Sequence, residues 1–231
     1  MKLVELMGLI IIDFDDTLID NTYLDLDSFR HIIKIYNLSP IKDNVIIKWR
    51  KNGMLAKNIL KRLLKNQKNI SLNNCIKMRL EYLKKGHGGI NLVKRRTGVR
   101  KTLQEMKKQG FFIVVITSRE NKKIVKKIIK NLQLNRYIDN IYSASDIKNS
   151  EINLKDCIEL KKYLYELALQ GYQSKIKKQK VIAIGNLKAD IIAAKKLKIK
   201  PIAIKGSYRY DSGISKLAKT IENFQDVLSI L

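Results

Sequence analysis

Short apolar runs at residues 9–12, 111–116, 138–142, 181–184 and 202–204 recur along the chain, each closing on a polar or glycine residue and separated by longer amphipathic stretches. Runs this short, apolar at consecutive positions, read as strands covered on both faces. Neighbouring strands of that kind pair in parallel and need a crossover between them, which the amphipathic stretches supply as helices. Residues 98–109 place Val99, Leu103 and Met106 on one helical face, and residues 120–132 do the same with Ile124, Ile128 and Leu132. Thr97 and Gly110 suit the start and the stop of the first of these. The expected fold is α/β: a doubly wound, mostly parallel Rossmann-like sheet.

Residues 21–96 break the alternation. They show helical periodicity throughout, with Leu55, Ile59, Leu60, Leu63 and Leu64 on an apolar face and Lys57, Lys61 and Lys65 pointing out. Turn signals at 39–40, 66–69 and 86–89 divide the segment into three helices. The domain reading is therefore a core formed by residues 1–20 and 97–231, with residues 21–96 as a smaller all-helical lobe. Charge follows the same division. Residues 1–30 hold two basic and seven acidic side chains, whereas residues 31–100 hold 18 basic and two acidic, in a chain whose net charge is +26. That excess favours phosphates or acidic partners.

Other classes drop out. No run approaches the roughly 18 apolar residues of a membrane span. Cys75 and Cys157 stand alone, without the spacing of a zinc knuckle or a disulfide framework, and Glu5 with the aspartates that follow argues against a signal peptide. The expectation is a cytoplasmic protein with no membrane partner. There is no phosphate-binding GxxxxGK[ST] loop.

The first apolar run leads into Asp13-Phe14-Asp15-Asp16-Thr17-Leu18. Carboxylates at the end of a strand buried on both faces require a partner, and the carboxyl ends of parallel strands are where ligands bind in open α/β sheets. Two carboxylates one residue apart can divide labour, one attacking an electrophile while the other moves protons. The run 112–118 ends in Thr117-Ser118, just before a helix whose free N–H groups would face the same anion. The run 181–184 leads into Gly185-Asn186 and, after three residues, Asp190.

Taken in order, these segments resemble the haloacid dehalogenase (HAD) superfamily, in particular its phosphoglycolate-phosphatase-like members with a helical cap between the first two motifs. Asp13, Asp15, Thr17 and Leu18 match DxDxT-Leu. Phe112 to Thr117 matches the strand ending in Thr or Ser, and Gly185 to Asp190 matches GDxxxD with Asn186 in place of the first aspartate. The resemblance implies that Asp13 is a nucleophile forming an aspartyl-phosphate, that Asp15 is the general acid/base, and that Thr117 acts on the phosphoryl group. Lys155, with Lys148 as runner-up, would be the charge-neutralising lysine. Thr17, Ser118 and Arg119 would bind substrate, and Asp13, Asp15, Asn186 and Asp190 would hold Mg²⁺. Loss of a full charge at Asn186 should weaken that metal site.

The function implied is a Mg²⁺-dependent phosphatase acting on a phosphate monoester, with a small phosphorylated metabolite as substrate and the helical cap selecting it. A nucleotide or nucleic-acid-end phosphatase that uses the basic cap is the less favoured alternative. A catalytically weak binding protein on the same fold comes after that.

Overall fold

A computed structural model describes residues 7–52, 54–67, 69–85, 91–147, 156–206, 208 and 212–231. The chain opens with strand β1 (Met7–Asp13) and the short β2 (Ile19–Asp20), then helices α1 (Thr22–Ile35), α2 (Asp43–Lys51), α3 (Ala56–Leu63) and α4 (Leu72–Lys85). Strand β3 (Lys94–Arg95) returns to pair with β2 in antiparallel fashion. Then follow α5 (Val99–Lys108), β4 (Phe112–Thr117), α6 (Lys122–Asn131), β5 (Asn140–Ser143), α7 (Cys157–Tyr172), β6 (Ile176–Gly185), α8 (Lys188–Lys196) and β7 (Lys200–Ile204). A last strand, β8 (Lys219–Ile221), lies between 3₁₀ turns at Ser212–Lys216 and Phe224–Ser229.

The main sheet has six strands in the order β5-β4-β1-β6-β7-β8, every neighbouring pair parallel. Alternation along β1 shows why it stands in the middle. Ile10 and Ile12 face an apolar layer shared with Val99, Leu103 and Met106 of α5 and with Val125, Ile128 and Ile129 of α6. Leu9 and Ile11 face the opposite layer, with Leu160, Leu164 and Ala168 of α7 and Ala193 and Ala194 of α8. A strand covered on both sides has no polar face, and that is the pattern its sequence carries. After β1 the chain builds outward through β4 and β5, then crosses back to place β6 on the other flank of β1. The strand order reverses beside β1, and the crevice at such a switch point is where an α/β sheet binds its ligand.

Helices α1 to α4 close on an apolar cluster of their own, including Leu26, Phe29, Ile32, Ile46, Ile59, Leu60 and Cys75. Among its described residues the segment contains four helices where three were expected. The extra break follows α2, which ends with Asn52 at its C-cap. Leu55, placed on the apolar face by periodicity, is 66% exposed, because it precedes α3 at the N-cap position and so lies outside the helical stripe. The N-cap of α5 is Gly98 rather than Thr97. Gly110 takes a left-handed φ of 81° just past α5 and ends it as expected. After β7 the chain forms 3₁₀ turns on either side of a sixth strand, Lys219–Ile221, too short and too polar to stand out by its apolar content.

Candidate active site

Asp13 is the last residue of β1 and pairs in register with Ile116 of β4, one residue before Thr117 ends that strand. Gly185 ends β6 on the other side, followed at once by Asn186. Asp13, Thr117, Asn186 and Asp190 are all buried. The parallel register thus brings Asp13 beside side chains more than a hundred residues further along the chain.

A lysine completes the group. Lys161, on the second turn of α7, is 5% exposed, and its Nζ lies in contact with Asp13 Oδ1 and 2.8 Å from Asp190 Oδ1. Asp190 is held from the other side by the Leu187 N–H, which donates to its Oδ2 at 3.1 Å. A Cβ on Gly185 would overlap the Asp190 side chain, so only glycine at the end of β6 lets that carboxylate reach Lys161. Burial pushes the Asp13 carboxyl up to about 7; the Lys161 ammonium opposes this, while Asp190 and Asp15 add to it. Burial alone would lower the Lys161 ammonium, but the two aspartates outweigh it and hold the group above its ordinary value.

The remaining expected residues take specific partners. Thr17 is buried, and its hydroxyl donates to Asn186 Oδ1 at 3.2 Å, so it fixes the amide that stands where a carboxylate is usual. Thr117 Oγ1 accepts the Arg119 N–H at 3.1 Å, which leaves its own O–H free to turn into the crevice. Arg119 grips Asp15 with two prongs, Nε to Oδ2 at 3.0 Å and Nη2 to Oδ1 at 2.7 Å. Ser118 lines a cleft of about 600 Å³ together with Asp15 and Arg119 on one wall and with Arg50 of α2 and Arg79 of α4 on the other.

Lys155 and Lys148, the expected neutralising lysines, lie outside the described residues, and the lysine set against Asp13 is Lys161. Reading the sequence also passed over Arg50 and Arg79. Both are buried, and both pair with Asp25 of α1, Arg50 Nε at 3.1 Å from Asp25 Oδ2 and Arg79 in contact with Oδ1. A signal for all three was present: Lys161 is four residues before buried Tyr165, Arg50 four after Ile46, and Arg79 four after Cys75. A basic residue on the apolar stripe of a helix marks a buried charge with a partner.

The oxygen donors offer Mg²⁺ the hard ligands it prefers. Asp13 at the end of β1, Asn186 just past β6 and Asp190 in the first turn of α8 are all buried, and a cation among them would offset the burial that pushes Asp13 up. Asp15 is turned toward Arg119. Among the described residues no group of three or more carboxylate, thiol or imidazole side chains forms a metal site by itself, so Asn186 would have to serve as a ligand.

No curated protein matches the sequence. Among solved structures, the chain is similar to a candidate phosphatase from Clostridium difficile, at 22% identity and a TM-score of 0.75 over 98% of this chain and 99% of that one. It is also similar to a predicted phosphoglycolate phosphatase from Haemophilus somnus, at 17% identity and a TM-score of 0.74 over 97% and 98%. A haloacid dehalogenase-like family hydrolase from Streptococcus pneumoniae aligns at 17% identity and a TM-score of 0.70 over the same shares. These likenesses concern the fold. The family model for haloacid dehalogenase-like hydrolases matches residues 10–204, a span that takes in the ends of β1, β4 and β6 and with them Asp13, Thr117, Lys161, Asn186 and Asp190. With that match extending over most of its length, the chain belongs to the haloacid dehalogenase-like hydrolase family.

Proposed function

We propose that the chain hydrolyses the phosphate monoester of a small metabolite, with Asp13 as nucleophile and Mg²⁺ as cofactor. The observation that carries this reading is the buried contact of Asp13 and Asp190 with Lys161 at the switch point of the sheet. A carboxylate stationed there with an ammonium beside it suits attack on an electrophile that brings negative charge of its own. An Asp13 oxygen attacks phosphorus as the ester P–O bond breaks, and the departing oxygen takes a proton from Asp15. Water then attacks the aspartyl-phosphate, giving its proton to Asp15, and phosphate leaves with Asp13 restored. Lys161 takes the neutralising role expected of Lys155, and the Thr117 hydroxyl donates to a phosphoryl oxygen. Asp13, Asn186 and Asp190 would hold Mg²⁺, which supplies positive charge to the phosphoryl oxygens when bound.

The cleft supports a small substrate. Its volume is in the range that encloses a metabolite, and it lies between the strand ends and α1 to α4. Treating residues 21–96 as a separate lobe over residues 1–20 and 97–231 belongs to the same reading. It draws on the lobe's own apolar cluster and on the β2–β3 pair through which the chain leaves and returns.

The test is phosphate release from a panel of metabolite phosphates, nucleotides and end-phosphorylated oligonucleotides in the presence of Mg²⁺. Turnover of at least one small ester is expected, falling by about 10³-fold or more in a folded Asp13→Asn variant. Undiminished release by that variant would falsify the mechanism.

A further inference from the structure

The Asp15 carboxylate belongs to a closed ring of three side chains. Arg119 holds both its oxygens, the Asn21 amide donates to Asp15 Oδ1, and Arg119 Nη2 donates back to Asn21 Oδ1 at 3.4 Å. The Arg119 guanidinium also lies over the Phe14 ring, 5.4 Å from its centroid, which adds a second restraint on its plane. The three members come from three places: the turn after β1, the loop after β4, and the point where the chain enters α1.

Asn21 is the informative member. It is 6% exposed and stands directly after β2, at the N-cap position of α1. Asparagine at an N-cap ordinarily accepts a hydrogen bond from the helix, a contact worth about 1 kcal/mol. Here its side chain makes no such bond and is turned to Asp15 and Arg119 instead. The Thr22 N–H at the start of α1 is taken by Asp20 Oδ1 at 2.8 Å instead, which leaves the Asn21 side chain to Asp15 and Arg119.

We infer that Arg119 and Asn21 are positioning residues for Asp15, and that Asn21 makes the placement of this carboxylate depend on the position of α1. The inference rests on the phosphatase reading, in which Asp15 gives a proton to the leaving oxygen and takes one from water. To carry that proton, one Asp15 oxygen must leave the Arg119 fork, and Asn21 keeps the side chain in register while it does. A shift of α1 over the cleft moves Asn21 and with it the donor that aims Asp15. Arg119 thereby acts on the acid/base residue, in place of the substrate contact expected from its position in the sequence.

The experiment compares phenyl phosphate, whose leaving group needs a proton, with 2,4-dinitrophenyl phosphate, whose leaving group does not. The proteins are wild type, Arg119→Gln, Arg119→Lys, Asn21→Ala and Asn21→Ser, the last restoring a helix cap without reaching Asp15. The ratio of kcat/KM for the phenyl ester to kcat/KM for the dinitrophenyl ester reports departure of the leaving group apart from the later attack of water common to both, and it is expected to fall on the order of tenfold in Asn21→Ala, Asn21→Ser and Arg119→Gln. KM should stay near the wild-type value, and Arg119→Lys should recover part of the ratio. Equal losses on both esters, an unchanged ratio, a rise in KM for both, or full recovery in Asn21→Ser would each overturn the positioning role. A wild type inert toward both esters would sink the phosphatase reading, and the inference with it.

Discussion

An ammonium buried against two carboxylates, as Lys161 is against Asp13 and Asp190, has given up its water and depends on them for compensation. The dependence is mutual, since Asp190 has no exposed surface and Asp13 very little. Lys161→Met should therefore leave two carboxylates facing each other and lower stability by about 3 kcal/mol in metal-free buffer. Mg²⁺ should raise the Tm of the variant more than that of the wild type, because a dication can stand where the ammonium stood. Turnover should fall by about 100-fold or more. Thermal melts with and without Mg²⁺ check the first two statements, and a variant as stable as the wild type would show the pairing to be incidental. The same residue marks the limit of what could be read beforehand. Asp13, Thr117, Asn186 and Asp190 were legible because each ends or follows an apolar run, so its position is local information. Lys161 is harder to pick out, because its role depends on which face of α7 meets the sheet, and that face is set by Tyr165, Ala168 and Tyr172 further along the helix. Only residue-by-residue alignment of that stripe separates Lys161 from Lys162, which stays near the surface among glutamates.

Among the elements, strands were easier to place than their surroundings. Buried parallel strands carry unbroken apolar runs, so β1, β4 and β7 fall within a residue or two of the expectation. β8 escaped because it is a three-residue edge strand that needs no apolar run, and the α2–α3 break escaped because apolar periodicity carries across it. One junction between elements yields a pH prediction. After β5 the chain makes a 3₁₀ turn, Ala144–Asp146, in which Asp146 accepts the Ser143 N–H at 2.8 Å and pairs with Lys122 Nζ of α6 at 2.8 Å. Burial works to raise this carboxyl, but Lys122 and the Ser143 N–H outweigh it and hold it below the ordinary range. A carboxyl depressed in the folded state adds stability above its unfolded pKa of about 4 and loses that contribution as pH falls through the folded value. Asp146→Asn should therefore lower the denaturation midpoint at pH 7, by no more than about 1 kcal/mol because the pair is partly exposed. The two proteins should converge as pH drops toward 3. Urea melts at pH 7, 5 and 3 test this, and a gap that stays constant with pH would assign the effect to packing.

At the scale of the whole molecule the question is what a net charge of +26 does. Among the described residues no helix is long and apolar enough to cross a membrane. Part of the charge is internal: Arg50 and Arg79 are committed to Asp25, and Lys161 to Asp13 and Asp190. The exposed remainder includes Lys57, Lys61, Arg62 and Lys65 on and after α3. An extended nucleic-acid strand needs aromatic platforms as well as charge. The aromatic side chains of α1 to α4 that reach the surface already have partners: Tyr36 donates to Met78 Sδ at 3.1 Å, Tyr82 to Asp27, Trp49 lies beneath Arg62 at 5.1 Å, and the exposed Tyr23 lies beneath Lys94 at 4.6 Å. The surface charge should accordingly act as a diffuse field that attracts a polyanion without aligning it. Single-stranded oligonucleotides should bind weakly at low salt, with log affinity falling by about 0.7 per neutralised phosphate for each unit of log salt, and binding should vanish near physiological ionic strength. Changing Lys61 and Arg62 to Gln should flatten that slope while leaving hydrolysis of a small aryl phosphate within about twofold, since neither residue lines the cleft beside Asp15. Fluorescence titrations across a salt series, paired with phosphate release under the same conditions, make the comparison. Tight oligonucleotide binding that survives 150 mM salt and competes with the aryl phosphate would instead put the nucleic-acid-end phosphatase ahead of the metabolite enzyme.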